Sequence, residues 1–294
     1  MTIESTHAGA TTLTTSAGSD TINVQSIAGA TTINAGADND TINVGDTSSV
    51  VDNISAALTV EGDAGSDALN VDDYGDTTVN SGVLTSSTIS GLGMPSSISY
   101  GTLETLDIDL GSAGDTFTIE STHAGATTLD TFAGSDTINV RSIAGATTVN
   151  SGADNDTINV GDTSSVVDDI GAVLTVEGDA GLDTLTVDDS GDTTVNSGVL
   201  TSSTISGLGM PSGITYGTLE TLNIELGSAG DTFTIESPHA CATILDTFGG
   251  ADTVNVQSIA GAMTINSGAD NDTINVGNAS SGVDDIGAAL TVLG

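Results

Sequence analysis

Aspartate is the side chain in this sequence that is frequent and regularly spaced enough to do chemistry. It recurs in a glycine-rich turn that runs straight into a short alternating strand. Residues 36–44 read GADNDTINV, and variants end at Val24 (SAGSDTINV), Val71 (GDAGSDALNV), Ile119 (GSAGDTFTI) and Val160 (GADNDTINV again). A tight turn with glycine exposes backbone carbonyls, and an aspartate beside it adds charge. Calcium takes six to eight such oxygens at about 2.3–2.6 Å. No single turn holds enough of them, so neighbouring turns in a stack have to share an ion. The plainer alternative is that the aspartates shape turns by bonding nearby backbone amides. Turn formation alone accepts Asn or Ser, so the one-sided charge favours the cation.

That charge is extreme: 40 acidic residues face a single basic one, Arg141, for a formal net charge of −39. Nucleic-acid binding needs lysines and arginines to displace phosphate counterions, which excludes that partner. An anionic membrane surface repels such a chain. No apolar run approaches the roughly 20 residues of a membrane-spanning helix, so membrane insertion is not expected.

The other candidates for chemistry are weaker. Cys241 is the only cysteine and stands where the repeat elsewhere has Gly9 and Gly125, so it reads as a drifted turn residue. His7, His123 and His239 share one repeat position, too far apart in sequence to gather on zinc. Asp72 with Asp73, and Asp188 with Asp189, are adjacent in strand-like runs and point to opposite faces, which makes poor acid–base pairs. With one arginine and 2 % aromatic residues there is no carbohydrate-cleaving groove either, and no enzyme is expected.

The elements that position the aspartates follow from self-similarity. TIESTH starts at Thr2 and again at Thr118, and TIESPH starts at Thr234, 116 residues apart each time. The chain is two and a half copies of one unit, residues 2–117, 118–233 and 234–294, the last partial. Within a unit the aspartates opening each strand, with Ser87-Thr88-Ile89-Ser90 aligned on Asp20-Thr21-Ile22-Asn23, give steps of 20, 27, 20, 28 and 21 residues. This predicts five coils of about 20–28 residues per unit, and one continuous solenoid over 1–294. Each coil has two runs, such as Thr21-Ile22-Asn23-Val24 and Thr31-Thr32-Ile33-Asn34, whose alternation turns Ile22, Val24 and Ile33 inward. Two such runs in about 20 residues leave no room for a helix. The segments around Val51 and Met94 read as surface excursions. The expected fold is an all-β, right-handed parallel β-solenoid, the hand following the preference of parallel crossovers. Its narrow core is built from Val, Ile and Leu rather than aromatics.

At this point the residues resemble the secreted repeats-in-toxin proteins, whose nonapeptide G-G-x-G-x-D-x-U-x forms a calcium-binding β-roll. Gly62, Gly65, Asp67 and Leu69 match, with Asp63 in place of the second glycine; Gly36, Asp40 and Ile42 match, with Asp38 in place of a glycine. One such turn per 20 residues, rather than one per nine, looks more like the calcium-dependent repeats of very large secreted bacterial adhesins. The resemblance implies calcium (Ca2+) ligands at Asp20, Asp38, Asp40, Asp63, Asp67 and Asp115. Their copies are Asp136, Asp154, Asp156, Asp179, Asp183, Asp231, Asp252, Asp270 and Asp272. Ser87 and Ser203 predict coils without a site. It also implies a secreted, extracellular or cell-surface location and an adhesive or structural role. Solenoid ends without caps invite self-association end to end into fibres. The chain begins inside a repeat, without a basic start and apolar centre in residues 1–20, as expected for a piece of a longer protein.

The outward positions carry an alternative function. Stacking lines up Thr21 with Asn23, Thr41 with Asn43, Thr116 with Thr118, Thr137 with Asn139 and Thr157 with Asn159. Thr184 with Thr186, Thr232 with Thr234, Thr253 with Asn255 and Thr273 with Asn275 continue the same flat face, which is broken at Ala68 and Ser90. Such threonine arrays resemble ice-binding surfaces. Threonine favours strands and asparagine ladders form in any in-register stack, which is the simpler explanation.

Overall fold

A computed structural model describes residues 1–237, 239–278 and 282–294. These residues form strands and turns with no helix among them, so none has a helix long and apolar enough to cross a membrane. The chain divides into two compact units, Met1–Ile138 with Ile143–Ala153, and Asn139–Ser142 with Asp154–Gly294. Each is a parallel β-solenoid.

In the first unit one sheet runs Thr2–Ile3, Thr21–Val24, Thr41–Val44, Ala68–Asp72, Thr105–Asp109, Ala126–Asp130, Thr147–Asn150, all parallel. The register sets like on like: Ile22 on Ile42 on Leu69, and Asn23 on Asn43 on Asn70. The facing sheet contains Thr11–Thr14, Thr31–Asn34, Leu58–Glu61, Ile98–Gly101, Thr88–Gly91, Ser81–Leu84 and Thr116–Ile119. Inward residues such as Ile22, Val24, Ile33, Leu58 and Leu106 have no exposed surface. Each such side chain contributes roughly 1.5–3 kcal/mol by leaving water. Val51, Ile54 and Met94 are also buried, so the two expected surface excursions fold back over the core and cover it.

The run around Thr88 differs from expectation. Thr88–Gly91 does not open a coil; it lies antiparallel between Ser81–Leu84 and Ile98–Gly101 as the middle of a three-stranded meander. The reason is length. Only Thr85, Ser86 and Ser87 link it to the preceding strand, whereas a parallel crossover takes a dozen residues or more. Tyr100 Oη donates to Thr85 O at 2.6 Å and pins the turn. Leu58 and its in-register partner Ile98 are therefore 40 residues apart, well beyond the expected coil length.

The meander also changes the coil count. With it taken as one passage between the sheets, nine passages separate Thr11–Thr14 from its copy in Ala126–Asp130. The 116-residue unit is four and a half coils, not five. Copies of one position therefore fall on opposite sheets: Thr2–Ile3 pairs in one sheet of the first unit, and its copy in Thr116–Ile119 pairs in the other. The second unit behaves alike. Thr157–Val160, Thr184–Asp188, Thr221–Glu225, Ala242–Asp246, Met263–Asn266 and Leu290–Leu293 form one sheet. Leu174–Glu177, Ile214–Gly217, Thr204–Gly207, Ser197–Leu200, Thr232–Ile235, Thr253–Val256 and Thr273–Val276 form the other.

Candidate cation site

The fifteen aspartates separate into two structural kinds. Asp38, Asp63, Asp154, Asp179 and Asp270 are exposed and all have left-handed backbone, φ between 61° and 83°. They are the corners of the turns, where Asn and Asp are the tolerated non-glycine residues. The other ten stand immediately before a strand. Of these Asp40, Asp67, Asp115, Asp136, Asp156, Asp183, Asp231 and Asp252 are buried, and Asp20 and Asp272 are half-buried.

The buried kind forms a ladder along the stack. Asp20 N–H donates to Asp40 Oδ1 at 2.7 Å, Asp40 N–H to Asp67 Oδ1 at 2.9 Å, and Asp67 N–H to Glu104 Oε2 at 2.7 Å. At the other edge Asn80 N–H donates to Asp115 Oδ1 at 2.7 Å and Asp115 N–H to Asp136 Oδ1 at 2.6 Å. The second unit repeats both runs: Asp156 to Asp183 to Glu220, and Asn196 to Asp231 to Asp252 to Asp272. The turn-shaping alternative is thus present in a form the sequence did not suggest, since the carboxylates of Asp40, Asp67, Asp115, Asp136, Asp183, Asp231, Asp252 and Asp272 each serve an amide of a neighbouring coil. Glu104, Glu220, Asn80 and Asn196 are rungs missed in the sequence, whereas Ser87 and Ser203 are not rungs. The signal was an acid directly before a strand-opening threonine, Glu104-Thr105 and Glu220-Thr221.

On four of the rungs one oxygen is used and the other is not. Asp40 Oδ2, Asp67 Oδ2, Asp183 Oδ2 and Asp252 Oδ2 are buried and receive no hydrogen bond. Asp67 Oδ2 lies over Gly62, where a Cβ would stand 2.7 Å away. Burial is the largest influence on Asp67, Asp183 and Asp252, and it raises their carboxyls above the usual range. Neighbouring acids add to it, Glu220 and Asp179 in the case of Asp183. Asp67→Ala removes the acceptor of a buried N–H, that of Asp40, and is expected to cost about 1–3 kcal/mol. Asp67→Asn keeps an acceptor and should cost clearly less; equal losses in urea melts would show that this bond is not what the residue contributes.

No family model, curated protein or solved structure matches the chain. What the site can do rests on its own geometry.

Among the described residues, one group of three His, Cys, Asp or Glu side chains offers ligand atoms all within 4.8 Å of one another, and it lies outside the fifteen. It is Asp107, Asp109 and Asp130, half-buried on the outward face of the first unit. Register creates it, because Asp109 pairs with Asp72 on one side and with Asp130 on the other. Burial first, and then Asp107, Asp130 and Asp72, push Asp109 up to about 6. The second unit has Asn223, Glu225 and Asp246 at these positions, with Asp188 paired to Glu225.

The outward threonines and asparagines are not on one face, contrary to expectation. In the first unit Thr21 and Asn23 share a sheet with Thr41 and Asn43, while Thr116 and Thr118 lie on the other sheet. In the second unit Thr157, Asn159, Thr184 and Thr186 occupy one sheet. Thr232, Thr234, Thr253, Asn255, Thr273 and Asn275 occupy the other. The half-coil phase of the repeat is the cause. Asparagine ladders do form within each sheet. Asn43 Nδ2 donates to Asn23 Oδ1 at 2.8 Å, Asn159 Nδ2 to Asn139 Oδ1 at 3.1 Å, and Asn275 Nδ2 to Asn255 Oδ1 at 2.9 Å. Cys241 Sγ touches the His239 ring beside Tyr216 and Glu220. Burial pushes the thiol up to about 11 and His239 down, so both are neutral near pH 7, unlike an activated nucleophile.

Proposed function

We propose that the chain is a non-enzymatic structural segment of adhesin type, working outside the cell, whose stacked coils are held by calcium. The observation that carries this reading is the row of buried carboxylate oxygens without a donor, in a chain whose only Lys or Arg is Arg141. An unpaired buried anion is costly, and a cation is the partner that removes the cost. The available donors are all oxygen, which suits a hard ion such as calcium rather than a thiophilic one. In the first unit Asp40 Oδ2 and Asp67 Oδ2 are the oxygens such an ion would compensate; no three of the fifteen aspartates bring ligand atoms within 4.8 Å of one another, so turn carbonyls and water would have to complete the shell. In the second, Asp183 Oδ2 is the counterpart. Calcium would supply charge compensation between coils. End-to-end association of such segments into fibres belongs to the same reading.

Thermal melts with calcium and with chelator test it. A site filled at 100 times its dissociation constant adds about 2.7 kcal/mol, so several sites should shift the melt by many degrees. An unchanged melt after full calcium removal, with no heat of calcium binding, would sink the proposal. The ice-binding reading requires one continuous threonine face, and the division of those residues between sheets argues against it.

A further inference from the structure

Each meander is reached by a crossover that carries a buried acid at its start. In the first unit the chain leaves Ala68–Asp72, runs through residues 73–80 and enters the facing sheet at Ser81–Leu84. The opening residue of that crossover, Asp73, is 1 % exposed. Its hydrogen bond comes from Val51 N–H to Oδ1 at 3.0 Å. Three more carboxylates act on it: Asp76 from its own segment, Asp52 beside Val51, and Asp115 from the segment that leads into Thr116–Ile119.

The neighbours are better provided. Asp76 accepts from Thr77 N–H, Thr78 N–H, Thr78 Oγ1 and Asn80 Nδ2, contacts that hold it below the usual carboxylate range despite burial. Asp115 Oδ1 takes the Asn80 N–H. Asp73 has one donor for two oxygens. The second unit builds the same arrangement independently. Asp189 is 1 % exposed, takes Val167 N–H at 3.2 Å, and is acted on by Asp192, Asp168 and Asp231. Asp192 is held by Thr194 and Asn196 as Asp76 is by Thr78 and Asn80.

A carboxylate shut away from water, with one donor and acids as its charged neighbours, is far more stable with a proton than without. We propose that Asp73 and Asp189 are proton-operated latches: protonated, they let each crossover lie closed on the core, and on losing the proton to solvent they loosen it. Burial first, then the surrounding acids, raise both groups to about 7. A folded-state value above the unfolded one gives stability that is fully present below the unfolded value, near 3.8, and is lost as pH rises through about 7. Ordinary carboxylates are already ionised by about pH 6, and the three histidines, which titrate in the same range, are common to parent and variant, so the difference between the two over about pH 6 to 8 reports the latch.

This inference stands apart from the calcium reading, and its test is run both with calcium and with chelator so that either can fail alone. Asp109→Asn is used as background, because that group is raised to about 6. In this background the melting temperature should fall by about 5 °C between about pH 6 and 8. Adding Asp73→Asn and Asp189→Asn should flatten that dependence and keep the higher value. Infrared spectra should show the carbonyl stretch of a protonated carboxyl at the lower pH, fading towards the higher and absent from the Asn variant. A variant with the same pH slope as its parent overturns the proposal. Should the Asn variant not fold, the parent's infrared titration decides alone, and absence of the protonated band at the lower pH overturns it.

Discussion

Phe117→Ala and Phe233→Ala are each expected to cost about 3–5 kcal/mol. The chain has four phenylalanines in 294 residues, and these two are 1 % and 0 % exposed, at the same position of successive repeats. Each ring lies directly on a glycine of the neighbouring strand. A Cβ at Gly82 would stand 2.4 Å from Phe117 Cδ2, and one at Gly198 would stand 2.5 Å from the matching atom of Phe233. Removing the ring leaves a hole beside a residue with no side chain to move into it. Both strands are held by ladder hydrogen bonds, Thr116–Ile119 against Ser81–Leu84 in the first unit, so the backbone cannot close the gap. Urea melts combined with amide exchange of Ser81–Leu84 measure the loss, and a cost under about 1 kcal/mol would contradict the assignment of these rings as core keystones.

Gly75→Ala and Gly191→Ala should cost about 3 kcal/mol each, at the upper end for overpacking. A Cβ at Gly75 would stand 1.8 Å from Ser48 O, and one at Gly191 1.8 Å from Ser164 O. Both obstacles are backbone, and Gly75 N–H donates to Ser49 O at 2.7 Å, so the crossover can accept the methyl only by lifting off its neighbour. Gly249→Ala is the control, since nothing lies within 4 Å of its Cβ and its φ is not left-handed. Equal stability of Gly75→Ala and Gly249→Ala would show that the close approach is not tight in solution.

The apolar positions show what alternation does and does not encode. Ile22, Val24 and Ile33 are inward in the sequence and fully buried in the structure, because period-two spacing fixes which face of a strand each residue occupies. Thr88–Gly91 has the same alternation and a different fate. Ile89 is buried as expected, but the strand runs antiparallel, since direction depends on the length of the connection and not on the pattern inside the strand.

The aspartates divide along the same line. Their place in turns before strands is legible from glycine, carboxylate and threonine in a fixed order. Their partners are not, because Asp40 and Asp67 are 27 residues apart in sequence and meet only through the length of one coil. The outward asparagines behave alike: Asn255 and Asn275 are readable as outward-facing, yet which threonines share their sheet depends on the half-coil phase. The cluster of Asp107, Asp109 and Asp130 exists only through register between strands. The sequence by itself determined an all-β stack with a 116-residue period, its inward residues and its acid-bearing turns, since these follow from local spacing. The tertiary structure decided the half-coil phase, the meanders, and which carboxylates are shut away with one donor, since connection lengths and register bring together residues that no local pattern relates.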